Sequence, residues 1–494
     1  MQELFCLKAN YSPDLMSVVK SSLSGEQEQK LLSLFGRVRL HLLYKASVHG
    51  FEADDFHRRC DAQGPTLLAA YNTSGYVFGA YTTKDYEESG EGLVCDDKAF
   101  LYSISGGKKK APLRVASDDG QHGFTDGGHG PDFGALKFLE ADAAAVASNP
   151  GTGFTFVPKD MHGDDLALTE FEVYRVEEFG GLLAKPWRTN IWTAEKRQGL
   201  MDKIKSYRPD ISGVSSARVL LVGPVGAGKS SFFNSINSVF RGNMTSQAIS
   251  GVCGKSVTTQ FRTFSIKAGK GGKVLPLVLC DTMGLESLPD AGLDVQDLYN
   301  IYKGHIEDRY QFSPCTPLSE DAPGFRKRST LKDQIHCVVY VFDSSQLLAD
   351  EIVEKMAAIR KKTNQMGVLL LLLMRFIVNV LYLSLSLIPY LWFPLTGIPQ
   401  LLLMTKVDEA CPLVKESLAD VYLSEYIYKK AQEFSTTLGI PLGCVLPVKN
   451  YSQELDVELR TDVLLLSAVQ QMLHYADSFF ENQVVDSAEA DMAL

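Results

Sequence analysis

The sequence predicts two domains: an α+β domain built on antiparallel strands, followed by an α/β domain with a mainly parallel sheet. Two observations lead to this division. Between about residues 31 and 176, short apolar runs alternate with clusters of turn residues, which is typical of antiparallel strands. After residue 215, apolar runs end in glycine- or aspartate-containing motifs, which is typical of a parallel sheet flanked by helices.

The clearest motif follows an apolar run at residues 217–222 and precedes a predicted helix start. Residues 223–230 are GPVGAGKS, which is the G-x-x-x-x-G-K-[ST] spacing of a phosphate-binding loop. Glycines let backbone N–H groups face an anion, and a helix N-terminus adds partial positive charge. We expect Lys229 to reach the β- and γ-phosphates and the Ser230 hydroxyl to bind Mg²⁺. The residues predicted to hold the phosphates are Gly223, Gly226, Ala227, Gly228, Lys229, Ser230 and Ser231.

A second motif, Asp281-Thr282-Met283-Gly284, ends the apolar run at residues 277–280. An aspartate at a strand end can hold the Mg²⁺ shell, and the N–H of Gly284 can turn towards the γ-phosphate. Taken alone, D-x-x-G is equally typical of an ordinary turn at a strand end.

A third motif, Thr405-Lys406-Val407-Asp408, ends the apolar run at residues 401–404. There Asp408 can accept hydrogen bonds from the guanine N1–H and exocyclic amine, while the stem of Lys406 lies along the base. Adenine lacks that pair of donors, so the carboxylate would select guanine. Three such motifs in this order resemble the GTPase branch of the P-loop fold, which implies GTP or GDP with Mg²⁺ as ligands.

The remaining positions of such a site are less defined. Thr258 and Thr259 are candidates for contacting Mg²⁺ and the γ-phosphate, although exposed strand threonines have the same appearance. Val448-Lys449-Asn450, after a strand-like run at residues 444–446, is the predicted base-side loop, with Lys449 as its predicted binding residue. Many small GTPases place a water-orienting glutamine after D-x-x-G, whereas this chain has Leu285. The sequence therefore supports nucleotide binding more strongly than hydrolysis, and no catalytic residue is assigned.

Composition limits the classes of binding partner and the cellular compartment that we expect for this protein. The 494-residue chain has a formal net charge of -10, which argues against bulk nucleic-acid binding. Its nine cysteines include no C-x-x-C pair, and the N-terminus shows no basic segment followed by an apolar core. A reduced, cytoplasmic chain is the simplest interpretation.

A series of short phrases in the first third of the chain resembles the TLDc domain. That resemblance implies a β-sandwich with helices and no established catalytic residues. The phrases lie at residues 43–47 (LYKAS), 50–51 (GF), 56–57 (FH), 60–61 (CD), 64–67 (GPTL) and 77–81 (VFGAY).

Nearly the whole chain resembles the interferon-induced protein 44 family of vertebrates. The resemblance rests on residues 223–234 (GPVGAGKSSFFN), 308–312 (DRYQF), 335–338 (IHCV) and 341–343 (VFD). It implies a cytoplasmic, interferon-stimulated protein of innate antiviral defence with a GTP-binding domain. Slow hydrolysis and a non-hydrolysing scaffold that keeps nucleotide as a structural ligand both remain open. So do the protein partners and any oligomer.

One apolar segment, residues 368–396, interrupts the predicted α/β domain. Its length suggests a membrane span, but a single crossing would put Asp408 and Lys229 on opposite sides of the bilayer. Joining Gly367 to residue 398 restores a helix, a glycine cap and a strand. Because the codons of Gly367 and of Thr396-Gly397 permit splice sites, we favour a retained intron over a membrane anchor or a buried insertion. Transcript sequencing across these codons decides whether the segment is a retained intron.

The predicted organisation consists of six parts. They are an N-terminal segment (1–30), a TLDc-like domain (31–178), a linker (179–214), a GTPase-like P-loop domain (215–478), its anomalous insertion (368–397) and an acidic tail (479–494).

Overall fold

The computed structural model divides the chain into two compact units, Met1–Gly180 and Gly181–Leu494. The structure describes residues 19–87, 92–104, 111–140, 143–248, 259–286, 293–313, 316–346, 351–361 and 397–492.

The first unit is built on a six-stranded antiparallel sheet with the strand order β1-β10-β2-β3-β5-β6. Strands β4 and β7 form one short ladder, and β8 and β9 form another. The strands are β1 (Val38–Lys45), β2 (Thr66–Asn72), β3 (Val77–Thr82), β4 (Gly92–Cys95), β5 (Phe100–Ser103), β6 (Leu113–Ala116), β7 (His122–Asp126), β8 (Leu136–Phe138), β9 (Val146–Ser148) and β10 (Leu168–Glu178). The helices are α1 (Gly25–Leu32), α2 (Ala46–His49), α3 (Ala53–Cys60) and α4 (Pro158–Met161).

Both faces of the six-stranded sheet contribute to a hydrophobic core. Successive side chains along a strand point to opposite faces, so neighbouring residues enter different clusters. Leu68 and Phe78 pack in one core cluster with Phe124 and Phe138 of the short ladders. Their neighbours in sequence point the other way; Leu67, for example, lies in a second cluster that also contains Leu31 of α1. The sequence predicts a sandwich; beside the six-stranded sheet the structure has the two short ladders.

The second unit contains a six-stranded sheet with the order β12-β13-β11-β14-β15-β16. Strand β12 is an antiparallel edge, and the pairings from β13 to β16 are parallel. The strands are β11 (Ala217–Val222), β12 (Arg262–Lys267), β13 (Val274–Asp281), β14 (Cys337–Asp343), β15 (Gln400–Thr405) and β16 (Val445–Pro447). The helices are α5 (Ala194–Ser206), α6 (Lys229–Arg241), α7 (Val295–Tyr302), α8 (described over 351–361), α9 (Val407–Ala410), α10 (Pro412–Glu416), α11 (Glu425–Leu438) and α12 (Leu459–Met492).

The parallel strands determine where the three motifs lie. Strands β11, β13 and β15 are nearly continuous apolar runs, as expected for strands buried on both faces. Each of them ends at one of the motifs predicted from the sequence. Because parallel strands share one carboxyl edge, the motifs meet at that edge.

Two predicted boundaries need correction. The segment predicted as a linker contains α5, whose Arg197 donates to the buried carboxylate of Asp462 at 2.5 Å, so it is an integral part of the second unit. The predicted acidic tail is also wrong at its start. Helix α12 continues to Met492, and Phe479 and Phe480 are buried.

The apolar insertion lies outside the described residues except for Gly397. In the chain it lies between α8 and β15. No helix in the described ranges has both the length and the apolar character needed to cross a membrane.

His336 is a buried titratable group at the start of β14 and provides a test of this packing. The backbone N–H of Arg218 donates to its Nδ1 at 2.9 Å, so Nε2 carries the proton and donates to the Leu331 carbonyl at 2.8 Å. The ring of Phe480 lies 4.6 Å away, centroid to centroid. Burial lowers the pKa of His336 from 6.5 to about 4.

We expect this histidine to make the second unit sensitive to acid. Between pH 6.5 and about 4, His336 binds a proton in the unfolded state but stays neutral in the folded state. Stability is therefore lost as pH falls through this window, by about 3 kcal/mol in total. Urea unfolding at several pH values should show a steeper loss for the wild type than for His336→Gln, which does not titrate. Parallel pH profiles would contradict the assignment.

Candidate functional site at the carboxyl edge of the parallel sheet

The loop after β11 curls around the start of α6. Gly226 and Gly228 have φ of 78° and 92°, a left-handed conformation that L side chains rarely adopt. Gly228 is also the residue that precedes the first turn of α6. Gly223 passes so close to β14 that a Cβ would lie 2.1 Å from the Val341 carbonyl oxygen. The glycines predicted from the motif are thus required by this backbone path.

Lys229 is the buried cation of this loop. Its side chain folds back, and Nζ donates to the carbonyl oxygens of Gly223 and Pro224, each at 2.9 Å. The residue is 7% exposed, and burial lowers the pKa of its ammonium to about 8, against the opposing effect of Asp281. An anion entering the loop would meet a cation that is already in place and poorly solvated.

Ser230 and Asp281 form the polar pair next to Lys229. The Ser230 hydroxyl donates to Asp281 Oδ2 at 2.5 Å. The other oxygen, Oδ1, is buried and has no hydrogen-bond partner among the described residues. Burial raises the pKa of Asp281. A hydroxyl and a carboxylate with an unused oxygen fit Mg²⁺, which protein sites bind through one or two such ligands plus phosphates.

The D-x-x-G segment is joined to the phosphate loop by backbone hydrogen bonds. Leu285 N donates to the Gly223 carbonyl at 3.0 Å, and Val225 N donates to the Leu285 carbonyl at 3.2 Å. The side chain of Leu285 is 2% exposed. The residue that replaces the water-orienting glutamine of many small GTPases is thus buried in this junction.

Gly284 lets these two segments approach. A Cβ at this position would lie 2.6 Å from Val225 Cγ2 and 2.9 Å from the Val225 backbone. We expect Gly284→Ala to lower the free energy of unfolding by about 1–3 kcal/mol, because the contact involves rigid backbone. Denaturant unfolding measures this. Gly443→Ala is the matched control, since its Cβ would meet nothing within 4 Å. Equal stability of both variants would show that the junction is not tightly packed.

The third motif reaches the phosphate loop directly. The buried hydroxyl of Thr405, at the end of β15, lies 2.7 Å from the carbonyl oxygen of Ala227, to which it donates. Lys406 follows with φ of 54° and begins α9. Asp408 lies in the first turn of α9. Burial raises the pKa of its carboxyl, and the nearby positive charge of Lys449 opposes this shift.

Comparisons with known proteins match both the first unit alone and nearly the whole chain. The model of the TLDc domain matches residues 15–177, which begins before the boundary predicted at residue 31. Interferon-induced protein 44-like from Homo sapiens is 32% identical over 487 residues, covering 96% of this chain and 98% of that protein. Interferon-induced protein 44 from Homo sapiens is 31% identical over 484 residues, covering 94% and 95%. The chain belongs to the interferon-induced protein 44 family.

Solved structures are also similar to this member of the interferon-induced protein 44 family. One of them is Toc33 from Arabidopsis thaliana in complex with GDP and Mg²⁺. The sequences are 14% identical, and the match covers 57% of this chain and 91% of that chain with a TM-score of 0.32.

The base-side loop differs in detail from the sequence prediction. Lys449, the predicted residue, pairs with Glu454 at 2.8 Å. The residue that touches the phosphate loop is its neighbour Asn450, whose Nδ2 donates to the Gly228 carbonyl at 3.1 Å. Its buried Oδ1 has no hydrogen-bond partner in the described ranges. The sequence places Asn450 in the predicted base-side loop, but it assigns the binding role to Lys449, because only the position after the β16 strand distinguishes the residues of this loop.

The structure leaves one predicted region undescribed. Thr258 lies outside the described residues. Thr259 is exposed, and its carbonyl oxygen accepts from Gln311 Nε2 and from Phe312 N. Ser231 lies in the first turn of α6, where its carbonyl accepts from the Ser235 hydroxyl. The described part of the chain holds no group of three or more histidine, cysteine or acidic residues that could bind a metal.

Proposed function

We propose that the second unit binds GTP or GDP together with Mg²⁺. The observation that carries this proposal is the hydrogen bond from Thr405 to Ala227 at 2.7 Å. It joins the motif suited to a guanine base to the loop suited to phosphates. One nucleotide could therefore contact both.

The roles follow from the geometry of the described side chains. The backbone N–H groups of the loop and the ammonium of Lys229 bind the phosphates. Ser230 and Asp281 hold Mg²⁺, which supplies charge neutralisation between phosphate oxygens when bound. Asp408 accepts from the guanine ring, and Lys406 lies along the base.

Slow or absent hydrolysis is the second part of the proposal. Leu285 has no group that could orient a water molecule, and its burial keeps it away from any substrate water. Weak GTPase activity therefore requires a group from elsewhere. The alternative function, a scaffold that keeps nucleotide as a structural ligand, is favoured by the same observation.

At the cellular level we propose an interferon-induced cytoplasmic protein that acts in innate antiviral defence through protein partners. The two human relatives support induction by interferon, because both are called interferon-induced. The net charge of -10 is consistent with protein partners rather than bulk nucleic acid.

The proposal is tested by identifying the nucleotide that co-purifies with the natively expressed protein, using mass spectrometry after denaturation. Calorimetry with Mg²⁺–GTP and Mg²⁺–ATP then measures base preference. We expect GTP or GDP to be recovered and ATP to bind more weakly. A protein that binds neither nucleotide would refute the proposal. Single-turnover phosphate release separates the two alternatives, because both bind GTP and only a GTPase releases phosphate.

A further inference from the structure

Asp343, the last residue of β14, fixes the ammonium group of Lys406. Lys406 follows β15, the parallel neighbour of β14, and Asp343 is the register partner of Thr405 at the end of β15. Lys406 Nζ lies 2.6 Å from Asp343 Oδ2, with side chains 31% and 11% exposed. The other carboxylate oxygen accepts from the backbone N–H and the hydroxyl of Ser345, at 2.9 and 2.6 Å. Both oxygens are thus engaged, which holds the carboxylate in one orientation.

Lys406 needs such a partner because its backbone is unfavourable. Its φ of 54° is left-handed, a conformation that is unfavourable for a non-glycine residue. A charge-assisted hydrogen bond to a fixed carboxylate helps to offset this cost. The backbone is also held, since Ser344 N donates to the Thr405 carbonyl at 3.0 Å and Ala410 N to that of Lys406 at 2.8 Å.

The ion pair determines which part of the Lys406 side chain can contact a ligand. With the ammonium group bound to Asp343, the hydrocarbon stem becomes the part of Lys406 that remains to contact a ring. Asp408 lies in the first turn of α9, only two residues after Lys406, so the stem and the guanine-selective carboxylate are oriented by the same short segment.

We propose that Asp343 is a positioning residue for purine binding. Asp343 holds Lys406 so that the lysine stem forms one wall of the base site. Asp343 does not touch the nucleotide. This inference rests on the proposed function and adds a residue that the three motifs do not contain.

The test compares Asp343→Asn, which keeps the shape and removes the charge, with Asp343→Glu, which keeps the charge. Calorimetry with Mg²⁺ measures binding of GTP, of ITP and of inorganic tripolyphosphate. ITP has the purine without the exocyclic amine, and tripolyphosphate has no base. We expect Asp343→Asn to weaken GTP and ITP by the same factor, about tenfold, and to leave tripolyphosphate unchanged. Asp343→Glu should retain most of the affinity for GTP.

A double-mutant cycle shows whether Asp343 acts through Lys406. In the Lys406→Ala background, Asp343→Asn should have no further effect on GTP binding. Unchanged GTP affinity in Asp343→Asn, or an equal loss of tripolyphosphate binding, would overturn the inference while the proposed function stands. A wild-type protein that binds neither GTP nor tripolyphosphate would refute both this inference and the proposed function.

Discussion

Replacing Lys229 with alanine is expected to weaken Mg²⁺–GTP binding at least about 100-fold, because a charge-assisted contact to phosphate in a desolvated loop is lost. The lysine is buried and its Nζ is already aligned by the carbonyl oxygens of Gly223 and Pro224. No other lysine or arginine lies in the loop sequence. Calorimetry on the nucleotide-free protein measures the loss. Unchanged affinity would rule out this phosphate site.

Lys229→Met separates binding from folding. It keeps most of the side-chain volume and removes the buried charge, so the variant should fold and still fail to bind GTP.

The lowered pKa of Lys229 allows a second measurement, the proton uptake that accompanies phosphate binding. At pH 8.5, above the value of about 8, much of Lys229 is neutral in the free protein. Phosphate binding restores the charge, and the wild type should take up a proton that Lys229→Met does not. Buffers with different ionisation enthalpies measure this uptake.

Asp408→Asn is expected to lower GTP affinity at least about tenfold and to reverse the preference between GTP and XTP. The carboxylate accepts two hydrogen bonds from guanine, whereas an amide presents one acceptor and one donor. Xanthine carries a carbonyl oxygen where guanine carries its exocyclic amine, so it matches the amide. Competition binding with GTP, XTP and ATP measures the change.

The neighbouring Glu409→Gln is the matched control, because it makes the same change in charge at an exposed position of α9. Its base preference should remain that of the wild type. If the wild type binds ATP as well as GTP, or if Asp408→Asn still prefers GTP, Asp408 does not select the base.

Several features could be predicted from the sequence because they are local. The spacing of Gly226, Gly228 and Lys229 prescribes a loop followed by a helix, and the structure has the left-handed glycines that this loop needs. The motifs at residues 281 and 405 each end an apolar run. Parallel strands share a carboxyl edge, so the order of these motifs was enough to expect them at one site.

The tertiary structure alone decided which side chains connect these motifs. Asn450 and Gly228 are 222 residues apart, and Asp343 and Lys406 are 63 apart. Contacts of this kind depend on the strand order β12-β13-β11-β14-β15-β16, which no local pattern encodes. The same reason explains why the sequence does not distinguish helix α5 from a linker: Asp462, the partner of its Arg197, lies 265 residues further along the chain. Sequence patterns report the local chemistry of a segment, whereas pairing between distant segments is selected by how the strands and helices pack together.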